Sequence, residues 1–281
     1  MSAVPARCIE TPDGISLYQH DWPAPLGAPV HGGVVLMHGL GEHGARYVHV
    51  AAFFNALGWS VRAYDHRGHG RSGGARGDVP NAHALIDDAR LVIADFCGSD
   101  PRWSGPPLLF GHSMGGLFAA RLACQTDIVL RGLILSAPVM ALTLTPVQAL
   151  LARLMRRVAP GLGVSNGLNA EFLSHDAALV KAYRADPYGQ GRISARLLDA
   201  MQQTIKAVHL SGHAPGCPTL LLLPGDDRLV DTSGSEQFLA RVGTQHITVH
   251  RYPGLYHELF NEVDQQRVFD DLAAWLAIPG R

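Results

Sequence analysis

The stretch Pro107-Leu-Leu-Phe110, Gly111-His-Ser113-Met-Gly115-Gly, Leu117-Phe-Ala-Ala-Arg-Leu-Ala-Cys124 decides the fold. An apolar run of strand length leads into a serine flanked by glycines, and a helical run follows. G-x-S-x-G between a strand and a helix is the setting of a nucleophile elbow. The serine there sits on a strained turn that lifts its hydroxyl above the end of a sheet. Strand and helix pass close together at such a turn, which leaves no room for a Cβ at 111 or 115. The same spacing recurs at Gly70-Arg-Ser72-Gly-Gly74. Loop residues follow Ser72 as far as Asn81, so Ser72 reads as a turn serine.

Strands and helices alternate on both sides of the elbow. Upstream, strands are expected at Val34–Met37 and Val61–Tyr64, with helices at Val48–Leu57 and from Leu85. Downstream, Gly132–Ser136 is a strand, and strands return at Thr219–Leu223 and His246–Tyr252. Helices are expected near Glu236–Val242 and over Val263–Leu276. Strands alternating with helices imply βαβ units, and continuous apolar runs imply parallel strands covered on both faces. From Val139 to Leu210 the alternation stops and the pattern is helical, with a loop at Gly161–Asn169 and a helix candidate at Ile193–Ile205. This gives an α/β fold: a mostly parallel sheet built from 1–138 and 211–281, carrying a helical cap at 139–210.

Composition narrows the class. The 281 residues include 31 glycines, an excess without collagen-like periodicity, as expected for tight turns. Charged residues make up 17% with a net charge of −1, which argues against bulk binding of nucleic acid. No run of about 18 apolar residues marks a membrane span. The amino terminus, Met1-Ser-Ala-Val-Pro-Ala-Arg7, has no apolar leader core. Cys8, Cys97, Cys124 and Cys217 are scattered and fit mostly buried, reduced thiols of a cytoplasmic protein. The 15 histidines show no zinc-ligand spacing, so no metal and no cofactor is expected.

Two loops, Gly39-Leu-Gly-Glu-His-Gly44 and Gly68-His-Gly-Arg-Ser-Gly73, match G-x-G-x-x-G, and Asp65 stands where a ribose-binding acid would fall. Neither motif opens directly into a helix, which weakens a dinucleotide reading.

A serine hydroxyl needs a base, and the base needs an orienting acid. On this fold the chain order is serine, acid, histidine. Two late loops supply both partners: Pro224-Gly-Asp226-Asp227-Arg-Leu-Val-Asp231 and Pro253-Gly-Leu-Tyr-His257-Glu258. His257 follows a strand end and reads as the base, whereas His246 and His250 lie inside a strand. Spacing leaves Asp226 and Asp227 both open as the orienting acid, with Asp231 as a weaker third. Two backbone N–H groups are needed for the oxyanion: Met114, after the nucleophile, and Leu40 in the loop His38-Gly-Leu-Gly41.

These segments, with Arg46-Tyr47 and Asp65-His-Arg-Gly-His-Gly-Arg-Ser72, resemble the monoacylglycerol lipase and lysophospholipase branch of the α/β-hydrolases, a group of serine aminopeptidase-like enzymes. The likeness runs from about residue 34 to 260. It implies that the acid directly before Arg-Leu, Asp227, orients the histidine. It also implies a helical cap matching 139–210, within which Asp186-Pro187-Tyr188 echoes a short motif. The expected activity is serine ester hydrolysis of a single-chain lipid such as a monoacylglycerol. Lysophospholipids and simple short-chain esters are the alternatives, and a non-catalytic binding module is the rival of a different class.

One further expectation concerns the cap. Val147, Leu150, Leu151, Leu154, Met155 and Val158 form an apolar stripe beside Arg153, Arg156 and Arg157. Either the stripe packs on the core, or a basic amphipathic helix rests on a lipid surface as a peripheral contact. Oligomeric state has no signature in the sequence.

Overall fold

The computed structural model describes residues 7–27, 29–125 and 127–278. Most of the leader reading at Met1–Arg7 therefore lies outside the described residues. In chain order the elements are β1 (Arg7–Glu10), β2 (Ser16–Trp22), β3 (Gly32–Met37), α1 (Val48–Ala56), β4 (Trp59–Tyr64), α2 (Ala84–Cys97), β5 (Leu108–His112), α3 (Met114–Ala123) and β6 (Gly132–Ser136). Then come α4 (Pro146–Val158), β7 (Gly163–Ser165), α5 (Ala177–Ala185), β8 (Arg192–Ser194), α6 (Ala195–Leu210), β9 (Thr219–Pro224), α7 (Ser233–Val242), β10 (Ile247–Tyr252) and α8 (Gln265–Leu276).

Eight strands form one sheet in the order β1-β2-β4-β3-β5-β6-β9-β10. From β4 to β10 every pairing is parallel. All these strands therefore end on one side, where loops gather and ligands bind in open α/β sheets. Side-chain alternation divides the core into two layers. Val35 and Met37 pack with α2 and α3 on one face, and Val34 and Leu36 pack with α1 and α8 on the other. Every residue of β3, β4, β5, β6 and β9 is buried, as expected of parallel strands covered on both faces, although β4 includes Ser60 and Arg62.

The sheet begins with two antiparallel strands that periodicity does not announce. β1 is mostly exposed, and β2 (Ser-Leu-Tyr-Gln-His-Asp-Trp) is largely polar. Pairing with β4 makes β2 a strand (His20 opposite Ala63), and the buried Arg62 of β4 reaches Asp21 at 2.6 Å and also pairs with Asp95. Cys8 on β1 is exposed and Cys97 half-buried, whereas Cys124 and Cys217 are buried. The expectation of mostly buried thiols thus holds for two of the four.

The segment between neighbouring strands β6 and β9 departs from the expected pattern in three places, one being that Ile193 belongs to β8 and the expected helix starts at Ala195. Residues 139–145 are not helical, and the expected loop at 161–169 contains β7, paired antiparallel with β8. The α4 helix is specified locally. Thr145 and Gln148 form a reciprocal capping box, Pro146 opens the helix, and Arg156 and Arg157 close it. None of its thirteen residues is buried. Its apolar stripe therefore does not pack into the core: Leu150 is 68% exposed and Val147 75%.

Candidate active site

The elbow is built by close approach. Ser113 lies between β5 and α3 with φ 53° and ψ −117°, a conformation an L-residue occupies only under constraint. Ser113 N–H donates to Ser136 O at 3.0 Å, which fixes the turn to β6. A Cβ at Gly115 would fall 2.2 Å from Met37 O, and one at Gly111 would fall 2.7 Å from Gly115 O. Both glycines are thus required by neighbouring backbone.

Asp227 follows β9 and His257 follows β10. His257 Nδ1 lies 2.8 Å from Asp227 Oδ2. Asp227 Oδ1 accepts the N–H groups of Leu229 and Val230, both at 2.9 Å, which fixes the carboxylate. Burial opposes both charges, yet the partners prevail. His257 is raised above the ordinary imidazole value, and Asp227 is held below the ordinary carboxylate value. The other two acids left open by spacing go elsewhere. Asp226 is exposed and pairs with Arg228 at 2.9 Å, and Asp231 accepts Ser233 N–H at the start of α7.

Ser113, His257, Leu40 and Met114 all line one cavity of about 660 Å³. Apolar side chains, including Val139, Leu151, Met155, Leu198 and Met201, form part of its wall beneath α4 and α6. A polar corner holds Glu42, Arg46, Tyr183 and Glu258. There Arg46 donates to Glu42 at 2.6 Å and to both oxygens of Glu258 at 2.7 and 2.8 Å, and its guanidinium lies over Tyr183. Tyr47 OH donates to the second oxygen of Glu42 at 2.7 Å. Burial raises the Tyr183 hydroxyl to about 12, so it stays protonated. Arg46 is thus bracketed by two carboxylates, and Arg228 lines the same cavity.

Glu42, Arg46 and Glu258 carry no assigned role in the sequence. The i, i+4 spacing of Glu42 and Arg46 is a readable signal. Glu258 is 212 positions from Arg46, so only the fold brings it there.

The two competing glycine motifs have structural explanations. Asp65, the would-be ribose acid, is fully buried. It accepts from Gly44 N–H at 2.8 Å and from Arg71 N–H at 2.7 Å, with His20 Nε2 at 2.9 Å. It ties the two loops together and presents no oxygen to a ligand. Ser72 Oγ donates to Asp65 O and accepts Tyr18 N–H, which bears out the turn-serine reading.

The segment 186–194 is fastened to the sheet domain. Gln190 N–H donates to Gly41 O at 2.8 Å, and Ser194 N–H to Gly77 O at 2.9 Å. His43 pairs with Asp186 at 2.8 Å. On the α4 side, Arg156 pairs with Asp199 of α6 at 2.5 Å, a contact within 139–210 rather than to the sheet.

A parallel sheet with a strained serine at the end of a central strand, and a histidine–aspartate pair at two further strand ends, defines an α/β-hydrolase. Residues 28–264 match the family described as serine aminopeptidase, S33. A monoacylglycerol lipase of Mycolicibacterium smegmatis is 36% identical over 248 residues, covering 87% of this chain and 88% of its own. Human monoglyceride lipase is 30% identical over 276 residues, covering 94% and 88%. The crystal structure of Paleococcus ferrophilus monoacylglycerol lipase superposes with a TM-score of 0.81 at 30% identity, covering 92% of this chain and 98% of that one. The chain belongs to the serine aminopeptidase S33 family of α/β-hydrolases and is a serine hydrolase.

Proposed function

We propose that the chain hydrolyses esters of single-chain lipids, with monoacylglycerols as the preferred substrate class. Ser113 attacks the ester carbonyl while His257 Nε2 takes its proton. Asp227 holds the imidazole in the required tautomer and stabilises the imidazolium. Leu40 and Met114 N–H groups receive the oxyanion. Both are free for it: neither has a protein acceptor among the described residues. The alcohol leaves with the proton from His257, and water then releases the acid from the acyl-serine.

The observation that carries the substrate reading is the two-sided cavity. An apolar wall under α4 suits one acyl chain. The polar corner offers carboxylates and a guanidinium to the hydroxyl groups of a small alcohol head group. The names of the related lipases support the same class. Residues 139–210 serve as the cap that frames this cavity. The exposed stripe of α4 is the cap's contact with vesicles or micelles that present the substrate. No helix among the described residues is long and apolar enough to cross a membrane, so that contact is peripheral.

The test has two parts. A fluorophosphonate probe should label the protein, and Ser113→Ala should abolish labelling and lower kcat by several orders of magnitude. A rate panel then compares monoacylglycerols, diacylglycerols, lysophospholipids, short-chain nitrophenyl esters and a peptidyl amide. Faster turnover of a lysophospholipid than of the matched monoacylglycerol would overturn the substrate class. Retained activity in Ser113→Ala would overturn the mechanism.

A further inference from the structure

Beneath the elbow loop, three buried imidazoles take no part in the chemistry above. His38, His66 and His69 lie with ring centroids 4.3 to 6.2 Å apart. Burial keeps all three neutral, with His66 lowered to about 3 and His69 to about 4. The hydrogen bonds of the first two converge on the two peptide groups that carry residue 39.

His38 O accepts from His66 Nε2 at 3.1 Å, and Gly39 N–H donates to Glu42 Oε1 at 2.5 Å. Both ends of the 38–39 peptide are thus occupied. In the next peptide, Gly39 O lies 2.7 Å from His38 Nδ1. The tautomer is settled by the far side of the ring, where Nε2 accepts His66 backbone N–H at 2.9 Å. Nε2 therefore carries no proton, and Nδ1–H donates to Gly39 O. Carbonyl and N–H point in opposite directions across a trans peptide. Holding Gly39 O against His38 turns Leu40 N–H away from the ring and toward the side where Gly39 and Leu40 line the cavity. Of the four polar groups in these two peptides, Leu40 N–H alone has no hydrogen-bond partner among the described residues. A Cβ at Gly39 would lie 3.2 Å from Ser113 Cβ, so this peptide stands beside the nucleophile.

We infer that His38 is a positioning residue for catalysis: its Nδ1–H aims the Leu40 N–H at the oxyanion by fixing the Gly39 carbonyl. His66 supports it by locking the tautomer. The inference rests on the proposed role of Leu40 as an oxyanion donor.

Asparagine and glutamine separate the two ring nitrogens. The Asn amide reaches the position of Nδ1 and can donate to Gly39 O, whereas the Gln amide reaches that of Nε2. His38→Asn should keep kcat within about fivefold of the wild type on a soluble nitrophenyl ester, and His38→Gln and His38→Ala should lose about 10- to 100-fold. KM should stay within about twofold in all three, because the oxyanion forms only after binding. The inhibition constant of an acyl trifluoromethyl ketone, whose hemiketal carries the oxyanion, should weaken in parallel with kcat. Thermal melting of the same preparations separates loss of fold from loss of aim. If His38→Ala does not fold, the Asn and Gln pair still decides. Equal loss in both, or a kcat loss without weakened ketone binding, overturns the inference. Failure of the wild-type enzyme to bind the ketone would instead overturn the oxyanion assignment itself.

Discussion

His257 Nδ1 and Asp227 Oδ2 stand 2.8 Å apart at the ends of β10 and β9, although thirty residues separate them in the chain. The neighbouring Asp226 faces solvent and Arg228. Asp227→Asn should therefore lower kcat by about 10³- to 10⁴-fold, and Asp226→Asn should leave it within about twofold. The pH profile carries a second sign. The base must be neutral, so kcat/KM should fall as pH drops through the His257 value, which its aspartate raises above 6.5. Removing the Asp227 charge should move that inflection to lower pH. Steady-state rates from pH 5 to 9 on one soluble ester measure both effects, and an unmoved inflection in Asp227→Asn would refute the pairing.

Acid stability follows from the buried neutral histidines. His66 is lowered to about 3, His69 and His112 to about 4, and His38 falls well below 6.5, all primarily through burial. Between those values and 6.5 the unfolded chain binds more protons than the folded one, so acidification favours unfolding. Each histidine contributes roughly 1 kcal/mol per pH unit in that window. His49, also lowered by burial, adds to the four, whereas His257, raised above 6.5, acts in the opposite direction only above that value. The urea midpoint should drop steeply from pH 6.5 to 4.5, and a flat midpoint would contradict the neutral cluster.

The stripe on α4 makes a separable prediction. Leu150 and Leu154 are exposed and do not line the cavity. Leu150→Glu combined with Leu154→Glu should reduce hydrolysis of monoacylglycerol in vesicles by about tenfold or more, given about 1.5–3 kcal/mol for burying a leucine. Turnover of a soluble short-chain ester should change by less than about twofold. Equal loss on both substrates would place α4 in the chemistry instead of at an interface.

These outcomes depend on features that differ in how plainly the chain announces them. The central strands, the elbow and the order Ser113, Asp227, His257 are legible because each is local: an apolar run, a glycine pair, a loop after a strand. β1 and β2 are not legible, since the polar residues of β2 become strand only by pairing with β4, and β1 only by pairing with β2. β7 and β8, three residues each and separated by α5, are too short for any period to register. Asp226 and Asp227 are equivalent by spacing, and burial together with the Leu229 and Val230 N–H groups separates them. The pairing of Glu258 with Arg46 is long-range and the inferred role of His38 depends on its tautomer, so neither can be read from spacing.

The fastening of 186–194 to Gly41 and Gly77, set against the pairing of α4 with α6, divides labour within the roof of the cavity. One flank is joined through Gln190 and Gly41 to the loop that carries Leu40, the proposed oxyanion donor. The other flank, about residues 141–162, folds by its own capping signals and borrows little from the core. Under the proposed function, substitutions on that flank would alter the acyl-chain wall at Leu151 and Met155 without touching Ser113, Asp227 or His257.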